Sequence, residues 1–114
     1  MAKLTERKKL EKKLDKAWSL AIRERDEYTC LWCGKPGNQA CHVIPRRHRI
    51  LRWNLANGWC GCYACHQRWH SSPLEGNAWF EEHYPEQWIY LMERRNITIR
   101  WSLDELEEML EDLE

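Results

Sequence analysis

The sequence predicts an α+β fold for a single domain of residues 1–114, with two short strands and a helix at its centre and helices at both ends. Three observations predict it. Apolar residues recur at helical spacing near both termini, whereas short apolar runs broken by turn residues lie between them. Two Cys-x-x-Cys pairs in the central stretch are typical of a metal site. A bound metal would help so short a chain, because small domains bury little of their surface.

The first segment, residues 1–27, predicts a basic N-terminal helix over 3–27. No Gly or Pro interrupts it, and its apolar residues recur at intervals of three and four: Leu10, Leu14, Ala17, Trp18 and Ala21. The outer face carries five lysines: Lys8, Lys9, Lys12, Lys13 and Lys16. Two interpretations stay open for this face. It is either an arm that follows a phosphate backbone or the solvated side of a packed helix.

The central segment, residues 28–72, predicts the core of the fold. The apolar pairs at 43–44 and 50–51, separated by Pro45 and a basic run, predict two short strands joined by a basic loop. Residues 62–72 then predict a helix. On that helix two histidines four residues apart, at positions 66 and 70, would share one face.

The last segment, residues 73–114, predicts an acidic helical extension. A proline opens each of two predicted helices, 73–83 and 85–95. Apolar and polar residues alternate across 97–101, which predicts a short extended piece. The sequence S-L-D-E from Ser102 is a capping-box pattern that predicts the start of a final helix.

Charge is distributed unevenly along a chain whose 18 basic and 18 acidic residues cancel. Residues 1–72 carry 15 Lys and Arg against 6 Asp and Glu, whereas residues 73–114 carry 3 against 12. The central segment has no acidic residue at all. This asymmetry predicts a basic front that meets a polyanion. Neither a signal peptide nor a transmembrane run is visible, so we expect a reducing cytoplasm and no membrane partner.

Two thiolate pairs in the central segment predict a structural zinc site: Cys30, Cys33, Cys62 and Cys65. The 28 residues between the pairs exceed the roughly 15–20 usual in a zinc ribbon, so a functional insertion is expected there. Buried cysteines that pack as small hydrophobes are the alternative. Cys60 is a rival ligand, although its apolar surroundings predict burial instead.

The other potentially reactive residues of this segment have a characteristic spacing. His42 precedes Asn57 by 15 residues, Asn57 precedes His66 by 9, and His66 precedes His70 by 4. This register resembles the HNH, or ββα-metal, endonuclease superfamily in its zinc-stapled branch. The segments ACHVIPRR, LRWNLANGWC and CYACHQRWHSSPLEGNAWF resemble the phage NinG/Rap recombination endonucleases. The likeness is dense over 28–72, weakens through 73–101 and is absent from 1–27.

The resemblance implies a ββα-metal core and a role for each of these residues. His42 would be the general base, and Asn57 would orient its ring through its amide oxygen or nearby backbone. His66 and His70 would bind one catalytic divalent ion: Zn²⁺, Mn²⁺, Ni²⁺, Co²⁺ or Mg²⁺. Four arginines of the basic loop would hold the DNA backbone without reading bases: Arg46, Arg47, Arg49 and Arg52.

Several assignments keep alternatives. The residue before the first histidine is usually an acid or a second histidine in this family, but here it is Cys41. Cys41 either completes a metal site with His66 and His70, or is a bystander with water as the ligand in its place, or marks a degraded metal site. The first alternative is favoured. A thiolate is a soft ligand, so this site would prefer transition metals to Mg²⁺. The alternative for His70 is a direct contact to phosphate. His48 either contacts phosphate or is simply exposed. Asn54 is the alternative to Asn57.

The function expected from the resemblance is that of a metal-dependent DNA endonuclease, encoded by a phage and acting in the bacterial cytoplasm on duplex or branched DNA. The alternative is a zinc-stapled DNA-binding module without catalysis, which would need neither His42 nor Asn57. A homodimer formed through the leucines of the terminal helices would suit symmetric branched DNA.

Overall fold

The computed structural model describes residues 5–114, which form a two-stranded antiparallel sheet surrounded by helices. Strand β1 is Gln39–His42 and strand β2 is Gly58–Gly61. Five α-helices are found in the described residues: α1 Glu6–Arg25, α2 Tyr63–Ser71, α3 Pro73–His83, α4 Pro85–Arg94 and α5 Leu103–Leu113. The predicted α+β class is therefore confirmed.

The sheet separates two buried clusters, because successive side chains of a strand face opposite sides. Ala40 and Cys60 are paired and pack with α1, whereas Cys41 and Trp59 are paired and pack on the other side. The first cluster lies between α1 and α5 and includes Leu14, Trp18, Ile22, Trp53 and Leu106. The second is rich in cysteine and aromatic residues and includes Cys30, Leu51, Cys65, Trp69 and Phe80.

The predicted N-terminal helix is observed as α1, which begins after Thr5. The Thr5 hydroxyl accepts a hydrogen bond from the backbone N–H of Lys8 at 3.1 Å, so it caps the helix. The expected beginning at residues 3 and 4 lies outside the described part of the chain. The leucines of α5 pack against α1 within the same chain. None of the helices in residues 5–114 is long and apolar enough to cross a bilayer.

The helices of the last segment begin where the sequence predicts. Pro73 and Pro85 open α3 and α4, and the Ser102 and Glu105 side chains form the expected capping box of α5. The extended piece expected at 97–101 is irregular and forms no strand. The alternating pattern predicts an apolar position for Trp101. Its side chain instead donates a hydrogen bond to the main chain of the basic loop.

The strands do not lie where the apolar pairs predict them, so that prediction is wrong. Residues 43–57 form the connection between β1 and β2, and Leu51 is a buried turn residue. The Asn57 side chain makes the hydrogen bonds that a partner strand would make. Its Oδ1 accepts from the N–H of Ile44 at 2.7 Å, and its Nδ2 donates to the Ile44 carbonyl at 2.9 Å. The apolar pairs at 43–44 and 50–51 therefore belong to the loop between β1 and β2, not to strands.

Candidate metal centre and histidine cleft

Four thiols meet on one side of the sheet. Cys30 and Cys33 come from the turn after α1, and Cys62 and Cys65 from the beginning of α2. All four sulfur atoms lie within 4.8 Å of one another, and Cys33 Sγ and Cys62 Sγ are 3.7 Å apart. Four sulfurs at about 2.3 Å from a tetrahedral zinc would be ~3.8 Å apart, so the spacing fits this ion. The predicted grouping is confirmed, and the cluster could hold a structural metal such as zinc.

Local backbone structure prepares both thiol pairs. Gly34 has φ +79°, a conformation that favours glycine, and its N–H donates to the Cys30 carbonyl at 2.8 Å. Cys62 caps α2, because its Sγ accepts from the N–H of Cys65 at 3.4 Å. This hydrogen bond lowers the pKa of the Cys62 thiol to about 7. It therefore favours the thiolate, which is the form that binds metal.

The two remaining cysteines lie outside the cluster. Cys60 is buried and its Sγ donates to the Gly37 carbonyl at 3.5 Å, as its apolar surroundings predict. Cys41 is also buried, and burial raises the pKa of its thiol. Because neighbouring strand residues face opposite sides, Cys41 packs with Trp59 while His42 faces α1. Among residues 5–114, the group of three or more side chains that lie close enough to hold a metal is the four-cysteine cluster, and Cys41 with the two helix histidines is not such a group.

A cleft of about 650 Å³ opens on the α1 side of the sheet. Three of the predicted histidines line it: His42 at the end of β1, and His66 and His70 on α2. Polar residues from three other parts of the chain complete its wall: Asp15, Arg46 and Asn77. The three histidines that the resemblance assigns to catalysis therefore line one cleft.

His42 is held rigidly in this cleft. Its ring stacks on Trp18 with centroids 4.0 Å apart and planes 12° apart. Its Nε2 lies 3.0 Å from the carbonyl oxygen of Arg52. Because a carbonyl only accepts, Nε2 carries the proton and Nδ1 keeps its lone pair. Burial lowers the pKa of His42 below its ordinary value of 6.5, with the nearby Arg46 acting in the same direction. The imidazole is therefore neutral at pH 7 and able to accept a proton.

His66 and His70 converge on one point. Their Nε2 atoms are 3.1 Å apart, as predicted for residues one helical turn apart. Two imidazoles at about 2.0–2.1 Å from one ion, at an angle near ~100°, would have their nitrogens about 3.1 Å apart. The Nδ1 of His66 lies 2.5 Å from Oε1 of Gln39, which fixes this ring with Nε2 facing His70. The pair fits a divalent ion with open positions for other ligands.

The Asn57 side chain makes no direct hydrogen bond to the ring of His42, whose Nε2 faces the Arg52 carbonyl. Its amide is buried, and besides its two bonds to Ile44 it donates to the Leu51 carbonyl at 3.2 Å. It thus fixes the loop whose Arg52 carbonyl orients His42. Asn54 is also structural, because its Oδ1 accepts from the N–H of Ala56 at 2.9 Å and its Nδ2 donates to Tyr90.

The four loop arginines divide into two pairs. Arg52 binds Asp15 through two hydrogen bonds of 2.8 and 3.1 Å, and Arg49 is ion-paired with Glu11. Both therefore attach the loop to α1. Arg46 and Arg47 are exposed, and Arg46 lies 3.8 Å from the carboxylate of Asp15. This second pair is exposed, but Arg46 shares Asp15 with Arg52, so Arg47 alone of the four has no carboxylate partner among residues 5–114.

Three residues of the site carried no clear signal in the sequence. Asp15 accepts hydrogen bonds from Arg52 and from Trp53 Nε1, the latter at 2.8 Å. Trp18 stacks on His42 and donates through Nε1 to the Asn54 carbonyl at 2.9 Å. Gln39 orients His66. Asp15 and Trp18 lie one helical turn apart on α1, outside residues 28–72. In the sequence, only the apolar stripe of that helix indicated that this face packs inward.

Searches of protein-family models, curated proteins and solved structures for a relative of this chain find no match.

Proposed function

We propose that this protein is a metal-dependent DNA endonuclease of the HNH type, stabilised by a zinc ion at its four cysteines. One observation carries the proposal: a neutral, rigidly held imidazole, His42, shares a cleft with two converging imidazoles, His66 and His70. They lie on β1 and α2, with β2 between them in the chain. The resemblance implies this order of strand, strand and helix, and this division into base and metal ligands.

His66 and His70 would hold the catalytic ion, with Gln39 setting the orientation of the first ring. A divalent ion bound there supplies stabilisation of the charged phosphate and of the departing oxygen. Imidazole ligands suit Zn²⁺, Ni²⁺ and similar transition ions better than Mg²⁺, so the expected preference stands without a thiolate from Cys41. Water or phosphate oxygens would complete the coordination.

His42 would remove a proton from the attacking water. The stacked Trp18 and the Arg52 carbonyl hold the ring and leave Nδ1 as its basic nitrogen. The lowered pKa of His42 keeps this nitrogen unprotonated at neutral pH. Arg46 lines the same cleft and would bind the phosphate as a positive charge.

Cleavage of supercoiled plasmid by the wild type and by His42→Ala tests the proposal. Loss of a general base is expected to lower the rate about 10²–10⁴-fold with unchanged folding. His83→Ala is the matched control, because this exposed histidine bonds to the Trp79 carbonyl on α3. A protein that shifts DNA in a gel but never cuts it with Mn²⁺, Ni²⁺, Zn²⁺ or Mg²⁺ would instead be the non-catalytic DNA-binding module.

A substrate preference for branched DNA extends the proposal through the resemblance to recombination nucleases. The comparison is direct: a four-way junction and a linear duplex of the same sequence are cleaved side by side. Equal rates on both would remove the branched-DNA assignment and leave a general nuclease.

A further inference from the structure

We propose that a second groove, beside the histidine cleft, binds a backbone phosphate of the same DNA strand. This inference rests on the proposed function, which it deepens by naming how the substrate is held. The groove has a volume of about 300 Å³ and is lined by residues 47–49 of the basic loop and 95–99 after α4. It includes no acidic residue.

Two arginines without carboxylate partners line this groove. Arg47 and Arg95 line it and are exposed, and the exposed Arg100 follows the last lining residue. None of the three forms an ion pair with a carboxylate among residues 5–114. By contrast, Arg49 and Arg52 of the same loop are attached to α1. The unpaired guanidinium groups therefore stay available for a phosphate, which they can bind with two parallel hydrogen bonds.

The distribution of charge in the sequence supports a function for this groove. Residues 73–114 hold 12 acidic residues and only three basic ones: Arg94, Arg95 and Arg100. All three fall within seven consecutive positions, and Arg95 lies next in space to the basic loop. The basic surface of residues 46–49 therefore continues onto a segment that is otherwise acidic.

The two sides of the groove are joined before any ligand arrives. Nδ1 of His48 donates to the Arg95 carbonyl at 2.8 Å, and Trp101 Nε1 donates to the Arg49 carbonyl at 3.1 Å. The carbonyl of Arg94, at the end of α4, accepts from the N–H of Ile97 at 3.0 Å. Carbonyls at a helix end repel anions, and these hydrogen bonds offset that effect. The groove is thus a preorganised site.

The groove and the histidine cleft lie on two sides of the same loop. Arg46 lines the cleft, whereas its neighbour Arg47 lines the groove. A DNA strand carries one phosphate per about 3.4 Å of helix axis, so a strand with one phosphate in the cleft would present others across this loop. Arg47 and Arg95 would then fix the strand while His42 acts on the neighbouring phosphate.

Binding of DNA without cleavage tests the groove. The protein is the full chain carrying His42→Ala, the probe is a fluorescein-labelled 20-bp duplex, and anisotropy is recorded at several salt concentrations. Adding Arg47→Ala and Arg95→Ala should weaken binding about 10-fold. It should also reduce the slope of log K against log[salt] by about 1–2, because each lost phosphate contact contributes ~0.9. The control is Arg23→Ala with Lys35→Ala, which removes the same charge elsewhere.

Each outcome is decisive. Affinity and salt slope equal to those of the control variant would reject the groove, whereas cleavage by the wild type would still support the nuclease. A reduced slope in a protein whose wild type never cleaves DNA would support the groove and reject the nuclease. Failure of the parent to bind the duplex at all would reject the groove. Circular dichroism melts of both double variants confirm that folding is unchanged.

Discussion

The cysteine cluster and the histidine cleft share helix α2 but are assembled in different ways. Each thiol pair is shaped by its own short turn: a glycine turn follows Cys30, and the Cys62 sulfur caps α2. The cleft instead takes residues from α1, β1, the loop and α2, and His42 is held by Trp18, 24 positions earlier in the chain. Local backbone structure thus shapes each thiol pair of the first site, whereas packing between distant segments places the contacts of His42 in the second.

This difference makes the two sites depend on each other unequally. Cys65 and His66 are adjacent on α2, so a metal bound at the cluster would fix the start of this helix and the histidines with it. Losing the cluster should therefore destroy both sites. Losing contacts in the cleft should damage only the cleft, because no residue of the cluster depends on them.

The largest effect is expected from Cys33→Ser. Cys33 is exposed, so loss of burial cannot explain a large destabilisation. Structural zinc contributes about 10–16 kcal/mol in small domains, as much as a whole domain's stability, so the variant should lose both zinc and its thermal unfolding transition. Metal analysis and circular dichroism measure this. Cys60→Ala, a buried cysteine outside the cluster, should keep its zinc. A Cys33→Ser protein with unchanged zinc content and Tm would disprove the zinc site.

The next largest effect is expected from Gln39→Ala, which affects the cleft alone. Removing the group that orients a metal-binding histidine typically weakens metal affinity about 10–100-fold. Titration of Mn²⁺ or Ni²⁺ by calorimetry measures the change, and structural zinc should remain at one per chain. Gln67→Ala is the matched control, because Gln67 is exposed on the same helix as His66. Equal metal affinity in both variants would contradict the proposed ion site.

Asp15→Asn tests whether α1 positions the catalytic base. Asp15 and Glu11 are acidic residues one helical turn apart that each bind a loop arginine, but only Asp15 lines the cleft. Small misplacements of a catalytic group cost up to about 10²-fold, so we expect a ~10-fold lower kcat for Asp15→Asn. Glu11→Gln should change kcat little. Equal losses in the two variants would indicate a general effect of loop attachment.

The smallest effect is the pH dependence. Burial lowers the pKa of His42 below 6.5, and only the neutral ring accepts a proton. Cleavage at saturating metal should therefore persist at pH 6.5 and decline only as the pH falls through this lowered pKa. A histidine of ordinary pKa would be half protonated at about pH 6.5. Trp18→Leu exposes the ring, so the decline should move to higher pH in a pH–rate profile. An unchanged profile would contradict the role of burial.

The sequence by itself determined the parts of this protein that depend on neighbouring residues. Proline and capping signals gave the beginnings of α3, α4 and α5. The Cys-x-x-Cys spacing gave the thiol pairs, and the four-residue interval put His66 and His70 on one face of α2. These features follow from the geometry of a single turn, so one stretch of sequence contains all the information they need.

Only the tertiary structure decided which groups face the cleft. The hydrogen bonds that place Trp18 and Asp15 beside the loop join residues 36 and 37 positions apart. The face of the sheet on which the Cys41 side chain lies depended on where β1 begins, because a register shift of one residue moves every side chain of a strand to the opposite face. Which loop arginines stay exposed depended on which of them are held closely by a carboxylate of α1, as Arg49 and Arg52 are. Pairing and burial between distant segments are properties of the folded chain, so no local pattern could predict them.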